Sequence, residues 1–257
     1  TTAEAMSIIK AYDESGEIAP KLIRRFGITE GNRQCLLLGM KMSELVNPYK
    51  YTIYPGFYES CGPEGEKLIE YVEKEWKKEK HAGELPLNIV DECAVHGDKA
   101  VQAIELAAPH ITKNRDEYER LANDMRCYKA FADAFRFKVL AAQQVLNYKW
   151  SKDIKYLHAA VPLLEESNSY WKELVRLTRD TYYYANSMQT SQRRIPVGGD
   201  DGKFKTWEEM QTVYDEELDN LKANIHSLEN PGTGSAGVKN PVARNASIRL
   251  ISPYKTV

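Results

Sequence analysis

The sequence predicts an all-α fold: a helical bundle built on a long antiparallel helix hairpin, with shorter helices packed against it. An apolar stripe with alternating spacings of three and four runs through the middle of the chain. This is the a/d heptad pattern of packed helices. No stretch before residue 245 shows the alternation of a strand. The stripe comprises Tyr118, Leu121, Met125, Tyr128, Ala132, Phe135, Val139, Ala142 and Leu146.

The hairpin is predicted over about residues 115–149 and 152–188. Its first helix has no internal breaker, because no Gly or Pro occurs between Ile111 and Trp150. Its second helix repeats apolar residues at helical spacing after a short link, which favours antiparallel packing. Asn168 interrupts that apolar face and is predicted to be a buried polar residue.

Shorter helices are predicted over about residues 2–13, 18–26, 32–46, 87–108 and 207–228. Another is predicted to begin at Pro63, where a missing N–H costs nothing. Its buried face would be formed by Leu68, Ile69, Val72 and Trp76. Thr206 and Glu209 have the spacing of a capping box, which marks the start of the last helix.

The helical bundle is predicted to occupy residues 1–229. Residues 230–257 are expected to be a Gly/Pro-rich linker and the start of a possible following β module. The chain opens at Thr1, inside a helix-start signal and without an initiator Met. We therefore expect a mature or excised fragment of a longer protein.

Composition argues against two classes of partner. Charged residues make up 28% of the chain and the net charge is −2, without the basic excess that is typical of nucleic-acid binders. No apolar run reaches 18 residues, so no membrane span is expected.

The four cysteines form no CxxC pair. Cys35, Cys93 and Cys127 are predicted to be free buried thiols, and Cys61 could form a disulfide.

No catalytic signature is present. The sequence lacks GxSxG, GxGxxG, Walker-type and HExxH motifs. Glu92 and His96, four residues apart, come nearest to a metal-ligand pair, and no metal site or cofactor is expected. Glycoside hydrolysis uses two carboxylates, but acidic residues are too abundant to single out a pair. Catalytic residues therefore stay unassigned.

An aromatic loop is the strongest binding signal, with Tyr49, Tyr51, Tyr54, Phe57 and Tyr58 crowded into ten residues. A tyrosine offers a flat apolar face and a hydroxyl, which suits a sugar ring or a protein partner. The alternative is that these rings clamp the loop onto the bundle.

Arg193 and Arg194, close in sequence to the tyrosine run at 182–184, form a second candidate binding surface. Two guanidinium groups could hold a carboxylate or a partner domain. The alternative for this pair is salt bridging between helices or domains of the protein.

Three stretches carry a family resemblance. They are Ala185–Pro196 (ANSMQTSQRRIP), Trp207 followed by the acidic YDEEL at 214–218, and Asn123-Asp124-Met125 leading into the long helix. They resemble a helical region of large multidomain secreted proteins, described as glycoside-hydrolase-like, from glycan-foraging gut bacteria. The resemblance covers most of residues 1–228 and implies a position between a catalytic-type module and β-rich modules. It transfers no catalytic residue.

The resemblance implies a non-catalytic helical accessory domain of a larger exported carbohydrate-active protein. Such a domain would pack against neighbouring modules of the same polypeptide and could contribute the aromatic loop to a glycan site. It would work in the periplasm or at the cell surface. One alternative is a glycoside hydrolase or lyase with its catalytic carboxylates in this chain. Another is a partner-binding helical scaffold.

Overall fold

The computed structural model describes residues 2–27, 41–48, 64–181 and 206–231. Within these ranges every regular element is helical, apart from one isolated β-bridge, which confirms the all-α prediction. The helices are α1 (Thr2–Gly16), α2 (Ile18–Leu22), α3 (Met42–Leu45), α4 (Leu68–Lys77), α5 (Pro86–Ala107), α6 (Arg115–Ser151), α7 (Lys155–Thr178) and α8 (Trp207–Glu229). A π-helical turn, Ile23–Gly27, continues α2, and a 3-10 turn, Ala108–His110, follows α5.

The α6–α7 hairpin forms the centre of the bundle, as predicted, but α7 ends at Thr178 and not near residue 188. Asn123 near the start of α6 donates to the Leu177 carbonyl near the end of α7 (3.0 Å), and the Ser167 hydroxyl donates to the Ala134 carbonyl midway along both helices (2.6 Å). These pairings show that the helices are antiparallel. Helix α5 packs along α6, α8 packs along α7, and α1 lies against α5.

The heptad stripe is largely buried, but Tyr128 is not. Its side chain is 39% exposed, and Leu121 is half-buried. The prediction of an unbroken buried stripe is therefore wrong at Tyr128. Several α6 residues outside the stripe are buried as well, including Cys127, Phe131 and Lys138, because neighbouring helices cover α6 on more than one side.

Helix α4 begins at Leu68 and not at Pro63, because residues 64–67 are held by tertiary contacts. Gly65 forms the isolated bridge with Glu84, where the Glu66 amide donates to the Glu84 carbonyl (2.9 Å). The buried Glu66 carboxylate accepts hydrogen bonds from Lys74 Nζ (2.8 Å) and the Ala82 amide (2.9 Å), and it contacts His81 Nδ1 (2.7 Å). A helix beginning at Pro63 would break this arrangement.

Two local predictions are confirmed. The Glu209 amide donates to Thr206 Oγ1 (3.2 Å) and the Thr206 amide donates to the Glu209 carboxylate (2.6 Å), which completes the capping box of α8. Asn168 is 2% exposed and donates to the Tyr214 carbonyl (3.1 Å).

No helix in the described part of the chain is long and apolar enough to span a membrane. The domain boundary at residue 229 stays a prediction.

Candidate functional site

The predicted binding residues are not among those that the structure describes. The aromatic-loop residues Tyr49, Tyr51, Tyr54, Phe57 and Tyr58 lie outside the described ranges, and so do Arg193 and Arg194. Cys35 and Cys61 also fall outside them. Cys93 and Cys127 are buried free thiols, as predicted.

A cavity of about 300 Å³ lies between α6, α7 and the start of α8. Sites for small molecules begin at roughly this volume. Its walls are mainly aromatic and aliphatic, with one carboxylate. The lining residues are Ala19, Asp124, Cys127, Tyr128, Phe131, Trp171, Leu174 and Trp207. Tyr128, the exposed member of the heptad stripe, is thus part of this cavity wall.

Two tryptophans in the cavity wall are fixed by contacts with each other and with the core. Trp171 Nε1 donates to the Trp207 carbonyl (3.0 Å), and the ring centroids are 6.5 Å apart. The ring of Tyr214 packs edge-on against Trp171, with centroids 4.8 Å apart. The Thr206 capping box sets where α8 begins, and it therefore sets the backbone position of Trp207.

Polar contacts beside the cavity join the ends of the three helices. Arg179, next to the C-terminus of α7, pairs with Glu208 in the first turn of α8 (2.7 Å). The bond from Asn123 to the Leu177 carbonyl joins α6 to the same end of α7. These links join the three helices that line the cavity, and a preformed site loses less conformational entropy on binding.

The lining side chains are suited to binding a sugar. Aromatic faces stack on the apolar face of a sugar ring, and the Asp124 carboxylate can accept hydrogen bonds from hydroxyls. Burial raises the pKa of the Cys127 thiol to about 12, so this residue stays protonated at neutral pH and is a poor nucleophile. A single lining carboxylate does not supply the pair that glycoside hydrolysis uses.

A buried lysine supports the cavity wall from behind. The ammonium of Lys138 lies 3.3 Å from the ring centroid of Tyr214 and 5.7 Å from that of Trp171. Burial lowers the pKa of Lys138 to about 8, against the opposing effects of Glu217 and Glu44. Burial also raises the pKa of Tyr214. The ammonium therefore stabilises the core packing behind Trp171 and does not face the cavity.

Glu217 attaches α3 to this part of the core. Its carboxylate accepts hydrogen bonds from the amides of Met42 and Ser43, both at 2.9 Å. The carboxylate is thus committed to the N-terminal amides of α3. We assign it a structural role.

The Glu92/His96 pair belongs to an ion-pair network. Lys21 Nζ lies 3.1 Å from both Glu92 Oε2 and His96 Nε2, and Glu14 contacts His96 Nδ1 at 2.7 Å. A lysine ammonium thus occupies the position between the two side chains. Among the described residues, no group of three or more His, Cys, Asp or Glu side chains could hold a metal ion.

Two other carboxylate pairs are bridged by basic side chains. Lys129 lies between Asp98 and Asp133, 2.9 Å from the latter. His81 contacts both Glu66 (2.7 Å) and Glu75 (2.5 Å). Burial raises the pKa of Asp133, and hydrogen bonds to Glu75 and Glu66 raise the pKa of His81. In each pair a basic side chain therefore lies between the two carboxylates.

The sequence interpretation missed the cavity residues. Trp171 is one of the apolar residues at helical spacing in the second hairpin helix, a pattern that predicts core packing, and Tyr128 is one position of the heptad stripe. Asp124 and Trp207 entered only through the family resemblance. The available signal was weak: Tyr128 placed a hydroxyl at a heptad position, where a purely apolar residue packs better.

The chain is similar to a solved enzyme structure. No family model matches the chain, and no curated protein matches it. A solved structure described as a "GH138 enzyme targeting pectin rhamnogalacturonan II" is 64% identical, with a TM-score of 0.81. The alignment covers 88% of this chain and 33% of that one. The chain therefore spans about a third of the length of that enzyme.

This similarity contradicts the expectation of a non-catalytic accessory domain. The 64% identity extends over 88% of the chain, and the matching protein is an enzyme. The alternative interpretation as a glycoside hydrolase is better supported. The chain is similar to part of a GH138 enzyme.

Proposed function

We propose that this chain is part of a glycoside hydrolase that acts on a pectic glycan. The observation that carries the proposal is the 64% identity, over 88% of the chain, to an enzyme described as targeting pectin rhamnogalacturonan II. The chain spans 33% of that enzyme. The activity is therefore proposed for the polypeptide in which these residues occur.

We assign sugar binding to the cavity between α6, α7 and α8. The rings of Tyr128 and Trp207 would stack against the apolar face of one sugar unit, with the buried Trp171 ring packed behind them. Asp124 would accept hydrogen bonds from the sugar hydroxyls. A volume of about 300 Å³ is at the lower end for small-molecule sites, which favours one sugar unit over a long segment.

The proposal includes a longer, multidomain and exported polypeptide whose other modules pack against this bundle. The length of the relative supports a longer polypeptide, because about two thirds of that enzyme lies outside the alignment. Export follows from the substrate, since a pectic polysaccharide is too large to enter a cell intact.

The experiment is a steady-state assay on rhamnogalacturonan II oligosaccharides, with sugar release as the readout. The wild-type polypeptide is compared with Asp124→Asn, which keeps the size of the side chain and removes its charge. A lost hydrogen bond to a charged group lowers kcat/KM by about 10- to 100-fold. Because Asp124 is assigned to binding, the change should appear mainly in KM.

Tyr12→Ala is the matched control, since this exposed side chain lies on α1 and does not line the cavity. It should leave both kinetic constants unchanged. A wild-type protein that releases no sugar from any pectic substrate would overturn the hydrolase proposal. If the wild type hydrolyses the substrate and Asp124→Asn does so equally well, the cavity has no part in the hydrolase proposal.

A further inference from the structure

We propose that a second surface, at the turn between α6 and α7, binds an extended chain of acidic sugar units. We call it the basic aromatic patch, and it comprises Trp76, Trp150, Tyr156, Lys149, Lys152 and Lys155. It shares no residue with the cavity. The proposal requires binding and no hydrolysis, so it stands apart from the proposed function.

The first ring of the patch is unexpectedly open. Trp76 continues the buried face of α4, one turn after Val72, yet it is 40% exposed. The prediction that it is buried is wrong, because α4 ends beyond the edge of the core. Its indole Nε1 donates to Asn147 on α6 (3.1 Å), and the ring of Tyr156 packs edge-on against it at 6.5 Å. The ring is held in place while part of its surface stays open to solvent.

The second tryptophan lies on the same side of α6. Trp150 follows Asn147 by three residues, so the two are neighbours on the helix surface. It is 37% exposed. Trp76 and Trp150 are the two tryptophans classed as exposed in the described part of the chain, and both lie at this end of the hairpin. Exposed aromatic residues that cluster typically mark a binding surface.

Lysines border these rings. The turn at residues 149–155 (KWSKDIK) carries three lysines and one aspartate. Lys149 Nζ lies 5.6 Å from the ring centroid of Trp150, and Lys155 Nζ lies 5.2 Å from that of Tyr156. Asp153 pairs with Lys155 at 2.7 Å. Residues 149–155 thus carry an excess of two positive charges, and two of the lysines lie beside the rings.

An acidic sugar chain matches both features at once. Each uronate unit has an apolar C–H face for stacking and a carboxylate for pairing with a lysine. A neutral glycan would use the rings alone. The patch is also an open surface, so it can accept an internal segment of a polymer. Charge complementarity therefore favours a polyuronate such as de-esterified pectin.

The test is native affinity electrophoresis of the 257-residue chain in gels that contain polygalacturonate, with dextran gels as the neutral reference. Polygalacturonate should retard the chain and dextran should not. The retardation should fall between about 50 and 500 mM salt, because screening shortens the range of charge interactions. Equal retardation by both polysaccharides would overturn the proposal.

Variants locate the binding surface. The double change Trp76→Ala with Trp150→Ala should weaken polygalacturonate binding by about fivefold or more, if each ring contributes at the low end for aromatic contacts. Lys149→Gln with Lys155→Gln should weaken it by about threefold or more and flatten the salt dependence. Unchanged retardation in both double variants would contradict the proposal.

Matched controls exclude general effects of the substitutions. Tyr12→Ala removes an exposed ring on α1, and Lys172→Gln removes an exposed lysine that pairs with Asp215. Both should retain wild-type retardation, and circular dichroism should show that every variant is folded. Asp124→Asn should also retain it. The experiments therefore distinguish a wrong assignment of polyuronate binding to the patch from a wrong assignment of sugar binding to the cavity.

Discussion

The four tryptophans of the chain divide between two regions that use the same groups in opposite solvent environments. Trp171 and Trp207 line the cavity, whereas Trp76 and Trp150 lie in the basic aromatic patch. In each region a lysine ammonium lies over an aromatic ring. The role of this pairing depends on burial. In the core the ammonium contributes to packing, whereas at the surface it is accessible to a ligand.

The lysines show the difference most clearly. Lys138 is 3% exposed, and burial lowers its pKa to about 8, since a low-dielectric environment disfavours the charged form. Lys155 is exposed, and its hydrogen bond to Asp153 raises its pKa. Lys155 therefore keeps its charge at neutral pH. We therefore expect substitutions of buried residues in the cavity region to reduce stability more than substitutions in the patch.

The largest expected effect is on stability. Trp171→Ala should lower the free energy of unfolding by about 3–5 kcal/mol, because it removes a buried ring that contacts Trp207 and Tyr214. Trp76→Ala should lower it by no more than about 1 kcal/mol, because much of its ring is already exposed. Urea denaturation measures both values. Similar losses would mean that the two regions are packed alike, against our account.

The next effect is a pH dependence caused by Lys138. Its pKa falls from 10.5 to about 8 on folding, so between these values the unfolded chain holds a proton that the native protein has released. The free energy of unfolding of the wild type should therefore rise with pH, relative to Lys138→Met, by about 3 kcal/mol over this window. Denaturation of both proteins at pH 7 and pH 10 measures the difference.

The comparison with Lys138→Met isolates the lysine. Burial raises the pKa values of Cys93 and Cys127 to about 12, which lowers stability above about pH 9 in both proteins and cancels in the difference. Lys155→Met serves as the exposed control and should show no comparable rise. A difference between Lys138→Met and the wild type that stays constant with pH would mean that burial does not lower the pKa of Lys138, which would contradict our account.

The smallest effect concerns the helix cap behind the cavity wall. Thr206→Ala removes the side chain that accepts from the Glu209 amide and should cost about 1 kcal/mol. Because the cap positions Trp207, this variant should also raise KM slightly. Thr181→Ala removes an exposed hydroxyl bonded to the Leu177 carbonyl and is the matched control. Equal melting temperatures of Thr206→Ala and wild type would show that the cap is dispensable.

The parts of the fold that depend on local or periodic signals could be predicted from the sequence. The heptad stripe located α6, the Thr206/Glu209 spacing located the start of α8, and the isolated polar position on α7 predicted buried Asn168. The start of α4 could not be predicted, because it depends on the burial of Glu66 by residues that follow the helix.

The cavity could not be predicted for a related reason. Asp124, Trp171 and Trp207 belong to three different helices, and only their packing brings them together. Trp76 looked like a core residue because helical spacing continues past the point where the core ends. The resemblance pointed to carbohydrate-active proteins, but it assigned an accessory role, which the identity to an enzyme contradicts.

The most direct test is the rate of sugar release from short rhamnogalacturonan II oligosaccharides by the polypeptide that contains this chain. Trp207→Ala, which removes a cavity wall, is compared with wild type and with Tyr12→Ala at substrate concentrations below KM. We expect sugar release by the wild type and by Tyr12→Ala, and a rate lower by about tenfold in Trp207→Ala. No release by the wild type, or equal rates in all three proteins, would contradict it.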